Sequence, residues 1–378
     1  MRLSRLLAFA CALVPSVAFA QATASVSGHV LCTDTRTPCR FATITLQGVD
    51  SAARTTAKSQ NQPKDTGVYR GIAGFDGSYQ INGVTPGDYY VLAVLPGYLN
   101  PVDQLLSNQP PDAHFTQDVL DKVLPRVTVA PNRPASADIT LQRGASLSGT
   151  VRFDDGGPAI GFTITVFLKD KNGQWKNYAN RAGNEPLSAI GAAVRTDDRG
   201  HFYEPALPHG TYIVEAHLQE YIPLPLSITY NEGAIVSDQR QNALRIFYGD
   251  KFRMKEAKPV ELSEGEDHSD IDITISTDGL HTVRGSVNSK SGEPIPNGEV
   301  SLSDPDDKTV IRTAGIQRDG SFNFSYLPGG TYQITIKGNS GKGETDFQSL
   351  NSTLVVDNDL TDLTYNLAPV SRSNGANQ

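Results

Sequence analysis

The run His201-Phe202-Tyr203-Glu204 carries the H-x-x-E spacing of a zinc peptidase, whose metal takes both side chains and a distant His. The run alternates as a strand, and residues three apart on a strand face opposite ways, so the pair does not converge on one ion. A hairpin turning near His209 would instead set His201 across from His217 and Tyr203 across from Glu215. Those four would then share a face and offer His, His and Glu to a metal, or simply form the polar side of a β-ribbon. A slip of one residue undoes the arrangement. No G-x-S-x-G elbow is present. Gly338-Asn339-Ser340-Gly341-Lys342-Gly343 lacks the spacing and the closing Ser or Thr of a phosphate loop and reads as a turn. Asp154, Asp155, Asp304, Asp306 and Asp307 fall in loops, where they either hold Ca²⁺ weakly or are solvated turn residues.

Sugar binding asks for an exposed ring with polar groups beside it. The single Trp lies in Asn172-Gly173-Gln174-Trp175-Lys176-Asn177-Tyr178, just after a hairpin-turn dipeptide. Two roles fit Trp175. It stacks on a sugar with Lys176, Asn177 and Tyr178 alongside, or it caps a core with its large apolar area. No residue set implies a resident metal or cofactor, and the expectation is a chain that is not an enzyme.

The elements that would carry these residues are strands. Gly (34) and Pro (23) are frequent, and Val, Ile, Leu and Thr recur in short bursts between turn residues, the composition of an all-β chain. No long i, i+3, i+4, i+7 stripe supports a helical bundle. A net charge of −8 argues against a nucleic-acid partner, and no stretch beyond the N-terminus is apolar enough to span a membrane.

That N-terminus has the three parts of a secretory signal peptide. Arg2 and Arg5 precede the apolar run Leu6 to Val14, and Ala18-Phe19-Ala20 is a small-x-small cleavage site. Residues 1–20 are therefore expected to be removed, taking Cys11 with them. The remaining pair, Cys32 and Cys39, reads as a disulfide closing a short turn, since a two-Cys metal site lacks further ligands nearby. Export to a periplasm, to the outer cell surface or to the medium follows.

One unit recurs three times. In Gly77 to Tyr89, Gly200 to Tyr212 and Gly320 to Tyr332 an aromatic follows the first Gly by two residues, a second Gly by ten and a Tyr by twelve. Each unit opens on a strand with a central Gly (Gly28, Gly149, Gly285). It passes a Pro turn (Pro38, Pro158, Pro294) and closes on a strand at Ala137–Leu141, Asp270–Thr274 or Asp362–Leu367. The segment between the two Gly residues reads as a hairpin. The expected organisation is a signal peptide (1–20), three tandem seven-stranded Ig-like or prealbumin-like β-sandwiches (21–143, 144–279, 280–370) and a frayed tail (371–378). In the second unit the turn Asp is displaced to Asp198. Inserts follow the Tyr strand in the first two units. Phe115 to Leu124 reads as a short helix, and Gln219 to Glu256 as a long excursion rich in Tyr and Phe.

The pattern G-x-V, Pro turn, V-x-L, DG-x-F/Y, L-P-G-x-Y resembles the carboxypeptidase regulatory-like domain. It is most regular at Gly285, Pro294, Asp319, Gly320, Phe322, Leu327, Pro328, Gly330 and Tyr332. Gly97-Tyr98, and Ile246-Phe247-Tyr248-Gly249 with Ala257-Lys258-Pro259-Val260, also look like segments common in that family. The resemblance implies a transthyretin-like β-sandwich. It implies exported or cell-surface modules grouped with carbohydrate-binding-like folds and non-catalytic in the carboxypeptidases. It transfers no catalytic or ligand-binding residue. The expected role is a binding protein of the cell envelope whose partner is a polysaccharide or, alternatively, an envelope protein.

Overall fold

The computed structural model describes residues 23–49, 67–102, 117–178, 193–221, 240–305, 311–340 and 347–370. The signal peptide, residues 222–239 of the long excursion, Asp306, Asp307, Gly341 to Gly343 and the polar tail lie outside them. The chain is all-β. The first repeat contributes β1 (Ala24–Cys32), β2 (Thr43–Gly48), β3 (Val68–Ile72) and β4 (Ser78–Val84). It continues with β5 (Gly87–Val94), a four-residue helix α1 (Gln117–Leu120), β6 (Arg126–Val129), β7 (Ala135–Ser136) and β8 (Ile139–Leu141). Of the expected helix from Phe115 to Leu124, only Gln117–Leu120 is helical among the described residues, and 121–124 form a turn.

The second repeat runs β9 (Ala145–Phe153), β10 (Thr163–Lys169), β11 (Trp175–Asn177), β12 (His201–Leu207) and β13 (Gly210–Tyr221). Then come β14 (Arg240–Phe247), β15 (Val260–Leu262), β16 (Asp267–His268) and β17 (Ile273–Ile275). The third has β18 (Leu280–Ser289), β19 (Asn297–Ser303), β20 (Ile311–Gly315), β21 (Ser321–Pro328), β22 (Gly330–Asn339), β23 (Leu350–Val356) and β24 (Leu360–Leu367). Only this last repeat keeps to seven strands among the described residues.

Each repeat builds two sheets by the same rule. Its opening strand pairs with the strand before the Pro–Gly corner and, in parallel, with its closing strands, as in β12-β9-β16 and β21-β18-β24. Its second strand pairs with the strand after the corner, as in β11-β10-β13-β14 and β20-β19-β22-β23. The first repeat follows suit with β4-β1-β7 and β3-β2-β5-β6.

The expected hairpin is therefore corrected. β12 bonds β9 whereas β13 bonds β10, so Pro208-His209-Gly210 crosses from one sheet to the other instead of folding a ribbon back on itself. The cause is local. Gly83, Ala206 and Tyr326, each six residues past the turn Gly, take positive φ (74°, 60° and 54°). In β12 the register slips between Glu204 and Leu207 at this point, which twists the strand out of its sheet. The repeated Tyr then locks the corner. The hydroxyls of Tyr89, Tyr212 and Tyr332 donate to the carbonyls of Thr85, Pro208 and Pro328, at 2.8, 2.7 and 2.6 Å.

The opening Gly answers to the parallel closing strand. A Cβ at Gly149 would stand 2.1 Å from the Ile271 carbonyl oxygen, and one at Gly28 would stand 1.9 Å from that of Ala137. No side chain fits there. The tight turns are held by an aspartate on a backbone amide. Asp76 accepts from the Ser78 N–H and Asp319 from the Ser321 N–H. In the second repeat the residue that does this is Asp197, which accepts from both Arg199 and His201, rather than the expected Asp198. The Ser78 and Ser321 hydroxyls, which donate to the same oxygens, join these amides in holding the carboxyls of Asp76 and Asp319 below the usual range, and the His201 and Arg199 amides do so for Asp197.

The second repeat packs Leu147, Ile164, Val166, Phe202, Tyr212, Val214, Ile246 and Ile271 into one core. The third packs Val287, Val300, Phe322, Phe324, Tyr332, Ile334 and Ile336 into another. By compactness the described residues of 1–31, 37–93 and 115–140 form one unit, and those of 32–36, 94–114 and 141–378 a second. The second and third repeats thus share a compact unit. Cys32 and Cys39 are disulfide-bonded. No helix among the described residues is long and apolar enough to cross a membrane.

Candidate functional site

The Trp ribbon is set by an aspartate turn. Asp170 Oδ1 accepts from the N–H groups of Asn172 and Gln174, and Gly173 closes the turn at φ 77°. The register then places Lys169 opposite Trp175, Leu168 opposite Lys176 and Phe167 opposite Asn177. Trp175 is half-buried. Its ring packs against a small cluster around Ile213, Phe247 and Met254, and the Lys169 ammonium sits 5.5 Å from its centroid. Lys176 and Asn177 are half-buried on the same short strand. Tyr178 departs from the expected quartet. Its N–H donates to the Val166 carbonyl and its side chain joins the core of the second repeat, which leaves it no ring face for a ligand.

The His-His-Glu-Tyr arrangement does not form, because its halves stand in different sheets. His201 and Tyr203 are exposed on β12. Glu215 and His217 are buried on β13 beside Arg245 of β14. Arg245 grips the Glu215 carboxylate through two hydrogen bonds of 2.9 and 2.7 Å, and His217 Nδ1 lies 3.2 Å from the same group. Burial opposes ionisation of Glu215, but the His217 ring beside it and the two hydrogen bonds from Arg245 prevail and hold its carboxyl below the ordinary range. This is a structural ion pair: the acid is spent on its neighbours.

The loop acids are spent as well. Asp154 accepts from the Thr277 N–H at 3.0 Å and Asp155 from that of Gly157 at 2.8 Å. Asp304 is buried against the Arg253 guanidinium, which also donates to the Tyr332 hydroxyl at 3.1 Å. Beside this clamp, within one compact unit, a cleft of about 470 Å³ opens between Asp250, Lys251, Phe252 and Glu256 on one side and Pro305 and Thr331 on the other. Its charges are mixed. Among the described residues no three His, Cys, Asp or Glu side chains converge as a metal site.

One exposed feature escaped the sequence. Phe41 and Phe75, 56% and 77% exposed, meet edge to face with centroids 5.1 Å apart, and Ile72, 67% exposed, lies on the strand bonded to the Phe41 segment. Arg40 Nε donates to the Phe75 carbonyl at 2.8 Å and so stands beside the rings. Aligning the three repeats position by position would have singled these residues out.

Comparison with known proteins places part of this chain. Residues 282–366, nearly all of the third repeat, match the carboxypeptidase regulatory-like domain. No curated protein sequence matches the chain. Among solved structures it is similar to the TIE protein of Bacillus anthracis, at 11% identity and a TM-score of 0.22, over 92% of this chain and 51% of that one. The chain therefore spans about half the length of that relative. It is also similar to a streptococcal ancillary pilin (10% identity, 93% and 100% covered, TM-score 0.28). A third likeness is the shaft pilin of Lactobacillus rhamnosus GG (10%, 60% and 98% covered, TM-score 0.24).

Proposed function

We propose that this chain is an exported, non-catalytic protein of the cell envelope, built from three β-sandwich repeats and acting through contacts with other envelope proteins. The exposed pair Phe41 and Phe75 carries this reading: two large rings stand mostly in solvent. The disulfide between Cys32 and Cys39 supports an oxidising compartment. Residues shared by the repeats support a non-catalytic role, since the Tyr hydroxyls, the turn aspartates and the opening Gly residues each answer to the backbone.

A second reading, polysaccharide binding at Trp175, Lys176 and Asn177, is favoured by the half-exposed indole near a turn tip. The Lys169 ammonium beside the ring weighs against it, because a stacked sugar would have to share or displace that cation. Photo-crosslinking in intact envelopes, run beside retention on insoluble polysaccharides, separates the two. Crosslinks to envelope proteins without retention are expected. Retention abolished by Trp175→Ala would establish the second reading instead. Peptide hydrolysis lost in His201→Ala would overturn the non-catalytic role.

A further inference from the structure

The backbone hydrogen bonds of the three repeats superpose residue by residue, which allows an internal comparison. The N–H groups of Cys39, Ala159 and Ile295 donate to the carbonyls of Val30, Val151 and Val287. The N–H groups of Ala73, Thr196 and Ile316 donate to those of Ala42, Phe162 and Gly298. Phe41 therefore corresponds to Gly161 and Asn297, Ile72 to Arg195 and Gly315, and Phe75 to Asp198 and Arg318. At three neighbouring positions the first repeat carries a large apolar side chain in solvent where the other two carry Gly, Asn, Arg or Asp.

The fold also bears a cost for one of them. Phe41 sits at φ 62°, a left-handed conformation that bulky residues avoid. Gly161 holds the same place at φ 75°, with nothing within 4 Å of where its Cβ would be. Gly is thus the residue this backbone favours, yet the strained Phe41 leaves 56% of its surface in solvent. Strain kept for an exposed side chain points to a use outside the fold. The segment is also braced, since the disulfide of Cys39 ends two residues before Phe41.

We infer that Phe41, Ile72 and Phe75, with Arg40 and Arg70 at their margin, form a preorganised docking knob for an apolar protein pocket rimmed by carboxylates. Arg70 and Ile72 stand on the same face of β3, and both are exposed. Neither Arg40 nor Arg70 has an ion pair among the described residues, so both cations remain for a partner. Aromatic and Arg side chains held in place before contact are what dominates protein interfaces, because little freedom is lost on binding. Two other occupants fit less well. The rings cross at 76° and offer no flat platform for a sugar. An extended anionic lipid surface would repel a chain of net charge −8, whereas a pocket senses only charges within a Debye length of about 8 Å.

The inference rests on the protein-contact reading above, and its test uses the mature chain with phage-displayed random peptides as probe. The variant Phe41→Gly/Ile72→Arg/Phe75→Asp carries the second repeat's own residues, which this backbone accommodates. Peptides enriched on the natural chain are expected to combine apolar residues with Asp or Glu and to lose at least about tenfold in affinity for the variant. Phe41→Gly alone is expected to keep or raise the melting temperature while weakening the same peptides. Equal affinity for both chains would remove this surface yet leave the protein-contact role standing. Enrichment of nothing, or of peptides without acids, overturns the inference. So does a lower melting temperature in Phe41→Gly, which would give the ring to the fold. Capture by phosphatidylglycerol vesicles that is lost in the variant would assign the knob to a membrane instead.

Discussion

Tyr332→Ala is expected to cost about 4 kcal/mol of folding stability, read by chemical denaturation of the mature chain. The ring is fully buried, among residues that include Phe324, Ile334 and Ile336. Truncation to a methyl leaves a cavity that the paired strands on either side cannot close. Two polar consequences add to this. The Pro328 carbonyl loses its donor, and Arg253 keeps only its carboxylate partner while its guanidinium no longer lies 5.4 Å from the ring centroid. Tyr332→Phe keeps the ring and should cost about 1 kcal/mol, the share of the hydroxyl. A loss below about 1 kcal/mol for Tyr332→Ala would mean that the repeated Tyr does not hold its corner.

Stability should fall by about 3 kcal/mol as pH rises from below 4.5 to above 7, and the fall should disappear in Glu204→Gln. Glu204 takes the place that Ile81 and Phe324 hold in the other repeats, four residues past the turn Gly. Its neighbours include Tyr212 and, through that ring, Tyr178. Oε2 is shut off from solvent and has no hydrogen-bond partner. Burial alone pushes the carboxyl up to about 7 from its ordinary value of 4.5. The folded chain therefore retains a proton that the unfolded chain releases between those two values. Over that window the unfolded state binds fewer protons, so stability declines as pH rises and levels off above pH 7. Denaturation midpoints measured at pH 4, 6 and 8 check this; a Glu204→Gln profile as steep as that of the natural chain would contradict it.

What the sequence discloses follows from which features are local. The turn Gly, the corner Gly and the Tyr are fixed by spacing, because each works within a dozen residues of the others, and so the three repeats and their all-β character are legible. The partner of a strand is not local. A hairpin and a sheet-to-sheet crossing both fit the three residues Pro208-His209-Gly210, and the deciding feature, the left-handed Ala206, carries no Gly to announce it. The His201–His217 pairing failed for that reason. Tyr178 looked like a companion of Trp175, yet beyond the end of β11 its side chain enters the core. Asp304 looked like a loop acid because its partner Arg253 is 51 residues away. Phe41 and Phe75 were silent as isolated Phe residues; only their counterparts in the other repeats make them conspicuous.

Amide hydrogen exchange on Tyr89→Ala tests the repeat architecture most directly. Tyr89 is buried and ties its corner to Thr85, and both residues lie in the compact unit of the first repeat. If each repeat is its own folding unit, protection should drop across β1 to β8 and stay unchanged from Ala145 to Leu367. Equal loss of protection in β18 to β24 would show that the chain opens as one cooperative body and would contradict the three-repeat account.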